Sequence, residues 1–415
     1  MPSLSRRSFF ALTAATAAGP TLMAAPSRSS GLTSLTQSAV PITAQERLAR
    51  VSKLQSLMQK QKVGALLVEA GSTLEYFTGV RWWRSERTTA ALIPAHGALV
   101  VVTPFFEEPS IRETLQVAGD VRTWKEDESP FDLLAAALRE RAGDGPLAIE
   151  ATTRYFITDR LSKASGGGRN VVPGDDLVRA CRLIKSPAEL ALMQAANNVT
   201  LAAIKHLHAR VDVGMTANDL QNVLSEATLA LGATPDDALV LLNEASAFPH
   251  GSSKPQSVRK GSVILIDAVA AVHGYQSDIS RSWVFGDPSP RQRDVWNTVK
   301  RGQEIALETA KTGVPVGVID KAVRAFYEGK GWSKDYGLPG TSHRTGHGIG
   351  MDVHEPAYLV RSDATPLEPG MCFSDEPGLY VPGKFGVRLE DCWHMTEAGP
   401  KFFTQPPPSI EQPFA

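Results

Sequence analysis

From Gln45 to Lys60, apolar side chains recur at Leu48, Val51, Leu54, Leu57 and Met58, a spacing that predicts an amphipathic helix. Gly64-Ala65-Leu66-Leu67-Val68 and Ala98-Leu99-Val100-Val101-Val102 are continuous apolar runs and read as buried strands. Strand and helix patterns alternate through residues 44–180, which predicts an α/β domain. A second domain is expected over 185–405. It opens at Ser186-Pro187-Ala188-Glu189, with Ser186 as N-cap, proline in the first turn and Glu189 completing a capping box. The same grammar recurs at Thr216…Asp219 and Ser289-Pro290…Gln292. Three helices should follow, with Gly232 and Gly313 stopping the second and third, and a fourth should run over 319–328.

Between these helices the pattern repeats itself. Gly261 precedes Asp267 by six residues across the run Val263–Ile266, and Gly370 precedes Glu376 by six across Met371-Cys372-Phe373. Each acid is followed, after a turn, by another on a returning strand: Asp278 eleven residues on, Glu390 fourteen. Two similar hairpins carrying four carboxylates predict a pseudo-symmetric sheet with a site at its centre.

Composition narrows the class. Of 415 residues, 42% are apolar and 21% charged, with formal net charge -1, which excludes a disordered chain, a collagen-like fibre and a multi-span membrane protein. The near-zero charge argues against nucleic acid as a partner. Three separated cysteines make neither a disulfide scaffold nor a thiolate zinc site. If Glu376 faces Glu390, Cys372 faces position 394, and Cys372 and Cys392 should remain unpaired. Ser165-Gly166-Gly167-Gly168 has no Lys-Ser/Thr after it and does not read as a phosphate cradle. At the N-terminus, Arg6-Arg7 precedes an uncharged run from Ser8 to Ala25 ending in Met23-Ala24-Ala25. Residues 1–25 read as a secretory signal of twin-arginine type, too weakly apolar for stable membrane insertion, so the protein is expected to be exported, periplasmic or secreted. Residues 26–43, rich in Ser, Thr and Pro, read as a flexible linker.

A carboxylate ending a continuous apolar strand, as Asp267 does, is expensive to bury alone. Four such acids need cations. Arg388 is near in sequence but offsets one charge; two divalent metal ions would match all four. His347, flanked by glycines in Gly346-His347-Gly348-Ile349-Gly350, together with His354 and His250, adds imidazoles suited to metal ligation and proton transfer.

These residues resemble those of the pita-bread metallopeptidases: aminopeptidase P, prolidase and methionine aminopeptidase, with the metal-free creatinases as cousins. The resemblance covers residues 44–405 and is most specific at His250, Ile266-Asp267, Ser277-Asp278-Ile279, Gly346–Gly350, Glu376-Pro377-Gly378-Leu379-Tyr380 and Gly386–Asp391. It implies an α+β pita-bread catalytic domain with pseudo-twofold symmetry, preceded by an α/β creatinase-like domain. It implies metal ligation by Asp267, Asp278, His347, Glu376 and Glu390, with Asp267 on one ion, His347 and Glu376 on the other, and Asp278 and Glu390 bridging. Glu376 would move the proton of the nucleophilic water. His250 and His354 would bind the substrate carbonyl, Tyr380 would touch substrate, and Arg388 would support the carboxylates. The oxygen-rich donor set favours Mn²⁺, with Co²⁺, Fe²⁺ and Zn²⁺ as alternatives. Where the family usually has glycine two residues after the first aspartate, this chain has Val269. The extra N-terminal domain points to aminopeptidase P or prolidase, hence to small peptides with proline second and to a homodimer or higher homo-oligomer. The stretch from Glu376 to Glu390 looks most like aminopeptidase P, with prolidase-type dipeptide cleavage as the runner-up. A metal-free C–N hydrolase and a peptide-binding pseudo-enzyme are the more distant alternatives, disfavoured by the complete ligand set.

Overall fold

The computed structural model describes residues 31–414, so the signal assigned to residues 1–25 lies outside the described residues. The N-terminal domain contains α1 (Ala44–Gln61), β1 (Ala65–Glu69), α2 (Ser72–Thr78), β2 (Ala90–Pro94), β3 (Leu99–Pro104), α3 (Glu108–Thr114), β4 (Gly119–Trp124), α4 (Pro130–Arg141), β5 (Leu147–Ile149), α5 (Tyr155–Ala164), β6 (Val171–Pro173) and α6 (Asp175–Arg182). Its strands form one mixed sheet in the order β4-β3-β2-β1-β5-β6. β1 and the body of β3 are wholly buried, as continuous apolar runs should be when helices cover both faces. α1 starts one residue earlier than its periodicity suggests, because Thr43 and Glu46 close a capping box. Its buried face keeps Val51, Leu54 and Met58 as expected but is shifted at the N-terminal end. Leu48 is 47% exposed, while Arg47 and Arg50 are buried beside Val51, Leu54 and Met58. Arg50 faces the other domain: it donates to the Tyr275 hydroxyl at 2.9 Å, which donates to Glu189 at 2.8 Å.

The C-terminal domain places α7 (Pro187–His208) and α8 (Ala217–Ala230) before a three-stranded sheet of β7 (Thr234–Leu242), β8 (Val263–Val272) and β9 (Tyr275–Val284). It then places α9 (Pro290–Thr309) and α10 (Gly317–Gly329) before β10 (Gly346–Gly348), β11 (Glu355–Leu359), β12 (Cys372–Asp375), β13 (Gly378–Val381), β14 (Phe385–Arg388), β15 (Asp391–Thr396) and β16 (Gly399–Phe402). Helix pair followed by sheet, twice over, is the internal repeat in three dimensions. Ser186, Thr216 and Ser289 each close a capping box, with Glu189, Asp219 and Gln292 as partners. The expected stop at Gly313 is displaced. α9 ends at Thr309 because buried Ala310 turns extended, and Gly313 lies in the next turn with its N–H on Leu367.

The two acid-bearing units are less alike than two hairpins. β8 and β9 meet through the turn His273-Gly274, both at positive φ, the geometry of a tight hairpin turn. β12 instead pairs with β15, and the hairpin β13–β14 is inserted between them. In the β12–β15 ladder Cys372 faces His394 and Ser374 faces Cys392, which is the expected register. All three cysteines are free and buried. The halves are stitched where Glu390 donates its backbone N–H to the Ser280 carbonyl at 3.1 Å and Ser282 bonds both backbone groups of Arg388.

The flexible-linker expectation fails for residues 31–43. Leu35 N–H bonds the Leu231 carbonyl at 2.8 Å, Thr36 bonds the Gly232 carbonyl, and Ile42 is buried. A Cβ on Gly232 would lie 2.3 Å from the Thr36 hydroxyl, so the glycine stop of α8 also makes room for this strap. No helix of the described residues is long and apolar enough to cross a membrane.

Candidate metal centre

Side chains alternate along a strand, so Asp278 and Ser280 leave β9 on one face and Ile279 and Arg281 on the other. Asp267 on β8 stands opposite Ser280. Glu376 follows β12, and Glu390 precedes β15. The four acids therefore converge where the two sheets meet. The Ser280 hydroxyl lies 3.0 Å from Asp267 Oδ1 and 2.7 Å from Glu390 Oε2, and accepts from Arg388 Nε at 2.9 Å. Arg388 also binds Asp267 Oδ2 at 2.5 Å. Its placement beside the carboxylates is as expected from sequence. Ser280 at the hub was missed, although its position two residues after Asp278 puts it on the same face.

His347 enters from β10. Its strand approaches closely enough that a Cβ on Gly346 would sit 2.2 Å from the Ser374 carbonyl oxygen. The His347 Nδ1 lies 3.1 Å from the Gly348 carbonyl, which assigns the ring proton to Nδ1. Nε2 then turns a lone pair towards Glu376 Oε1 at 3.3 Å and Asp278 Oδ2 at 3.6 Å. Donor atoms of Asp278, His347 and Glu390 all lie within 4.8 Å of one another.

The electrostatics follow from burial. Loss of water, reinforced by the neighbouring carboxylates, raises Asp278 and Glu390 well above the usual carboxylate range. Burial also pushes Glu376 up to about 7, while Arg388 pulls it down and Asp267 pushes it further up. Burial holds His347 well below its ordinary value, with His354 acting in the same direction. A neutral imidazole lone pair facing carboxylate oxygens, among acids with one guanidinium between them, is a donor set lacking its electrophile. The arrangement fits divalent cations, which Asp267, Asp278, His347, Glu376 and Glu390 could hold.

The remaining expected residues are placed less uniformly. His354 packs edge-on against His347, with ring centroids 4.1 Å apart. His250 is exposed and lines a groove of about 640 Å³ with Leu239, Leu241 and Gln256; its loop is tied to the centre by Arg388 Nη1 on the Pro249 carbonyl. Tyr380 is fully buried, and its hydroxyl bonds His343 at 2.7 Å and Arg388 at 3.3 Å, so it braces the centre. Val269 faces Asp278 across the ladder and lines a cavity of about 240 Å³ with Leu224 and Asp236, displacing no donor.

Comparison with known proteins assigns both domains to families. The profile of metallopeptidase family M24 matches residues 191–397, and that of the creatinase/prolidase N-terminal domain matches residues 50–184. A protein of Mycobacterium tuberculosis named probable dipeptidase PepE is 32% identical over 81% of this chain and 88% of its own length. The prolidase structure from Thermococcus sibiricus superposes with a TM-score of 0.79 at 28% identity, covering 86% of this chain and 96% of that one. An X-Pro aminopeptidase from Thermotoga maritima gives 0.76 at 26%, covering 87% and 98%.

The raised acids carry a pH signature. In metal-free protein they hold protons in the folded state that the unfolded chain has already released, so Glu376 makes stability fall as pH rises from about 4.5 to about 7, above which both states have lost its proton. His347, pushed low, acts in the opposite sense as pH rises through about 6.5, where the unfolded imidazole loses a proton that the folded one does not hold. Between about pH 5 and 7 the Tm of chelator-treated protein should therefore fall relative to that of a Glu376→Gln variant, and added Mn²⁺ should raise it and flatten the profile. A flat profile before metal addition would show that the acids are ionised without cations.

Proposed function

The chain belongs to metallopeptidase family M24 and is a metallo-exopeptidase, and from that premise we propose that it cleaves the bond preceding proline in short Xaa-Pro peptides, with dipeptides preferred. The observation that carries the chemistry is the convergence of buried Asp278 and Glu390 and part-buried Glu376 on the Nε2 lone pair of His347, with part-buried Asp267 joined to Glu390 through Ser280. Two divalent ions fit this donor set, Mn²⁺ best among them because oxygen donors dominate. Bound there, they supply Lewis-acid polarisation of the substrate carbonyl and an acidified water. Glu376, whose Oε1 lies 3.3 Å from His347 Nε2, is the carboxylate placed to take and return a proton. Burial and the Arg344 charge hold His354 low, so it is a neutral donor for the carbonyl oxygen, with His250 approaching from the rim.

The preference for dipeptides rests on Arg344. Its guanidinium lies 4.4 Å over the Tyr358 ring, and its charge is felt by Glu376, His347 and His354. Among the described residues no carboxylate pairs with it. An unspent guanidinium beside the reacting centre suits the free carboxylate of a dipeptide, and the names of the mycobacterial and archaeal relatives agree. The aminopeptidase P reading, favoured by the Glu376–Glu390 stretch, keeps one structural support: the groove beside His250 has room for residues beyond proline. We also propose that residues 1–25 export the folded protein, on the strength of Arg6-Arg7 and the uncharged run behind them.

Three measurements test these readings. With Mn²⁺ present, kcat/KM for Xaa-Pro dipeptides should exceed that for matched Xaa-Pro-Yaa tripeptides; the reverse order selects the aminopeptidase, and cleavage of neither rejects both. His354→Ala should lower kcat by roughly 10²–10³ with metal content retained; an unchanged kcat removes His354 from the reaction. Replacing Arg6 and Arg7 together by lysine should leave the precursor in the cytoplasm, and normal export of that variant would refute the twin-arginine route.

A further inference from the structure

His354 lies on the loop from Ile349 to His354, which joins β10 to β11 without regular structure. What holds this loop is the next residue, Glu355, which is buried and points away from the site. Its Oε1 accepts the backbone N–H groups of Met351 at 2.9 Å and Asp352 at 3.1 Å, and also Arg182 Nη2. Its Oε2 accepts Lys185 Nζ at 3.0 Å. The fit leaves no slack: a Cβ on Gly350 would lie 2.7 Å from Glu355 Oε1. Arg182 ends α6 of the N-terminal domain and divides its donors. Nη1 binds Ser72 and Thr73 at the start of α2, both at 3.0 Å, and Nη2 binds Asp352 at 2.9 Å. Ser72 closes the circuit with its own bond to Asp352 at 2.8 Å.

Arg182, Lys185 and Glu355 are all buried. Two cations on one carboxylate, with the surplus drawn off by Asp352, make a pinned network instead of a surface pair. Its effect falls on the loop that brings His354 to the metal centre, where the Val353 backbone also bonds His347. We infer that Arg182 and Lys185 are positioning residues: from the domain seam, and through Glu355, they fix this loop and hold His354 against His347. The N-terminal domain then acts on the reaction directly, by setting the angle of one imidazole. This rests on the role given above to His354.

Removing Glu355 would strand two buried cations, so the test keeps the charge. Arg182→Lys cannot reach Ser72, Thr73, Asp352 and Glu355 together. It should lower kcat for an Xaa-Pro dipeptide by roughly 10–100-fold, the scale of a misplacement near 1 Å, with KM and bound metal unchanged. In a His354→Ala background the same substitution should cost nothing further, because the group it aims is gone. An unchanged kcat, or losses that multiply in the double variant, would overturn the inference. Ser72→Ala, a milder change at the same seam, should give a smaller loss with the same dependence on His354 if Arg182→Lys does not fold. Amide exchange at Met351 and Asp352 reads the clamp without any substrate. It should accelerate in both variants, and exchange at the wild-type rate would reject the clamp even if no Xaa-Pro peptide is cleaved.

Discussion

Four carboxylates share a centre from which water is largely removed, and the architecture of the C-terminal domain answers to that constraint. Acids so placed repel one another and resist ionisation unless cations arrive. The chain supplies one cation of its own, Arg388, and spends it on orientation: it grips Asp267 directly and Glu390 through Ser280. Such an arrangement needs stiff supports, which is why each acid sits on or next to a strand within a buried ladder. The inserted hairpin β13–β14 delivers both Arg388 and Tyr380, so the feature that breaks the symmetry of the two halves also braces the centre.

The seam between the domains extends that stiffness outward. Arg50, Tyr275 and Glu189 tie α1 to β9 and α7, and Arg182, Lys185 and Glu355 tie α6 to the loop bearing His354. One apolar cluster runs across the same boundary, taking Leu54, Met58 and Phe77 from one side and Leu192, Ile264 and Tyr275 from the other. A domain that brings none of the expected metal donors is thereby built into the mechanical frame of the site.

Much of this was legible because its signals are local. A cap followed three residues later by an acid or amide, an apolar run ending in a carboxylate, and glycines flanking a histidine all lie within one short window, and they located the starts of α7, α8 and α9 and the convergence of the acids. What escaped reading depends on distant partners. Arg47 and Arg50 look like the polar face of α1 until Tyr76 and Tyr275 receive them. Residues 31–43 look like a linker until Leu231 and Gly232 bind them. The β13–β14 hairpin lies where the sequence reads as a turn between Glu376 and Glu390, because its two four-residue strands are too short for an alternation to stand out.

Two acids beside the centre clarify what the metal-facing ones require. Asp391 follows Glu390 and points to the opposite face, where Arg281, Gln303 and Thr404 surround it and both partners of the ion pair are fully buried. Asp375 precedes Glu376 and finds neither oxygen a partner among the described residues; burial raises it far above the carboxylate range, with Asp391 adding to the effect. A buried acid in this domain is thus either matched by a fixed guanidinium or disposed to keep its proton. Asp278, Glu376 and Glu390 have no guanidinium of their own, and the histidine between them offers a lone pair in place of a proton. Cations drawn from solution would convert that set from proton carriers into anions, so loading of metal and release of protons are linked.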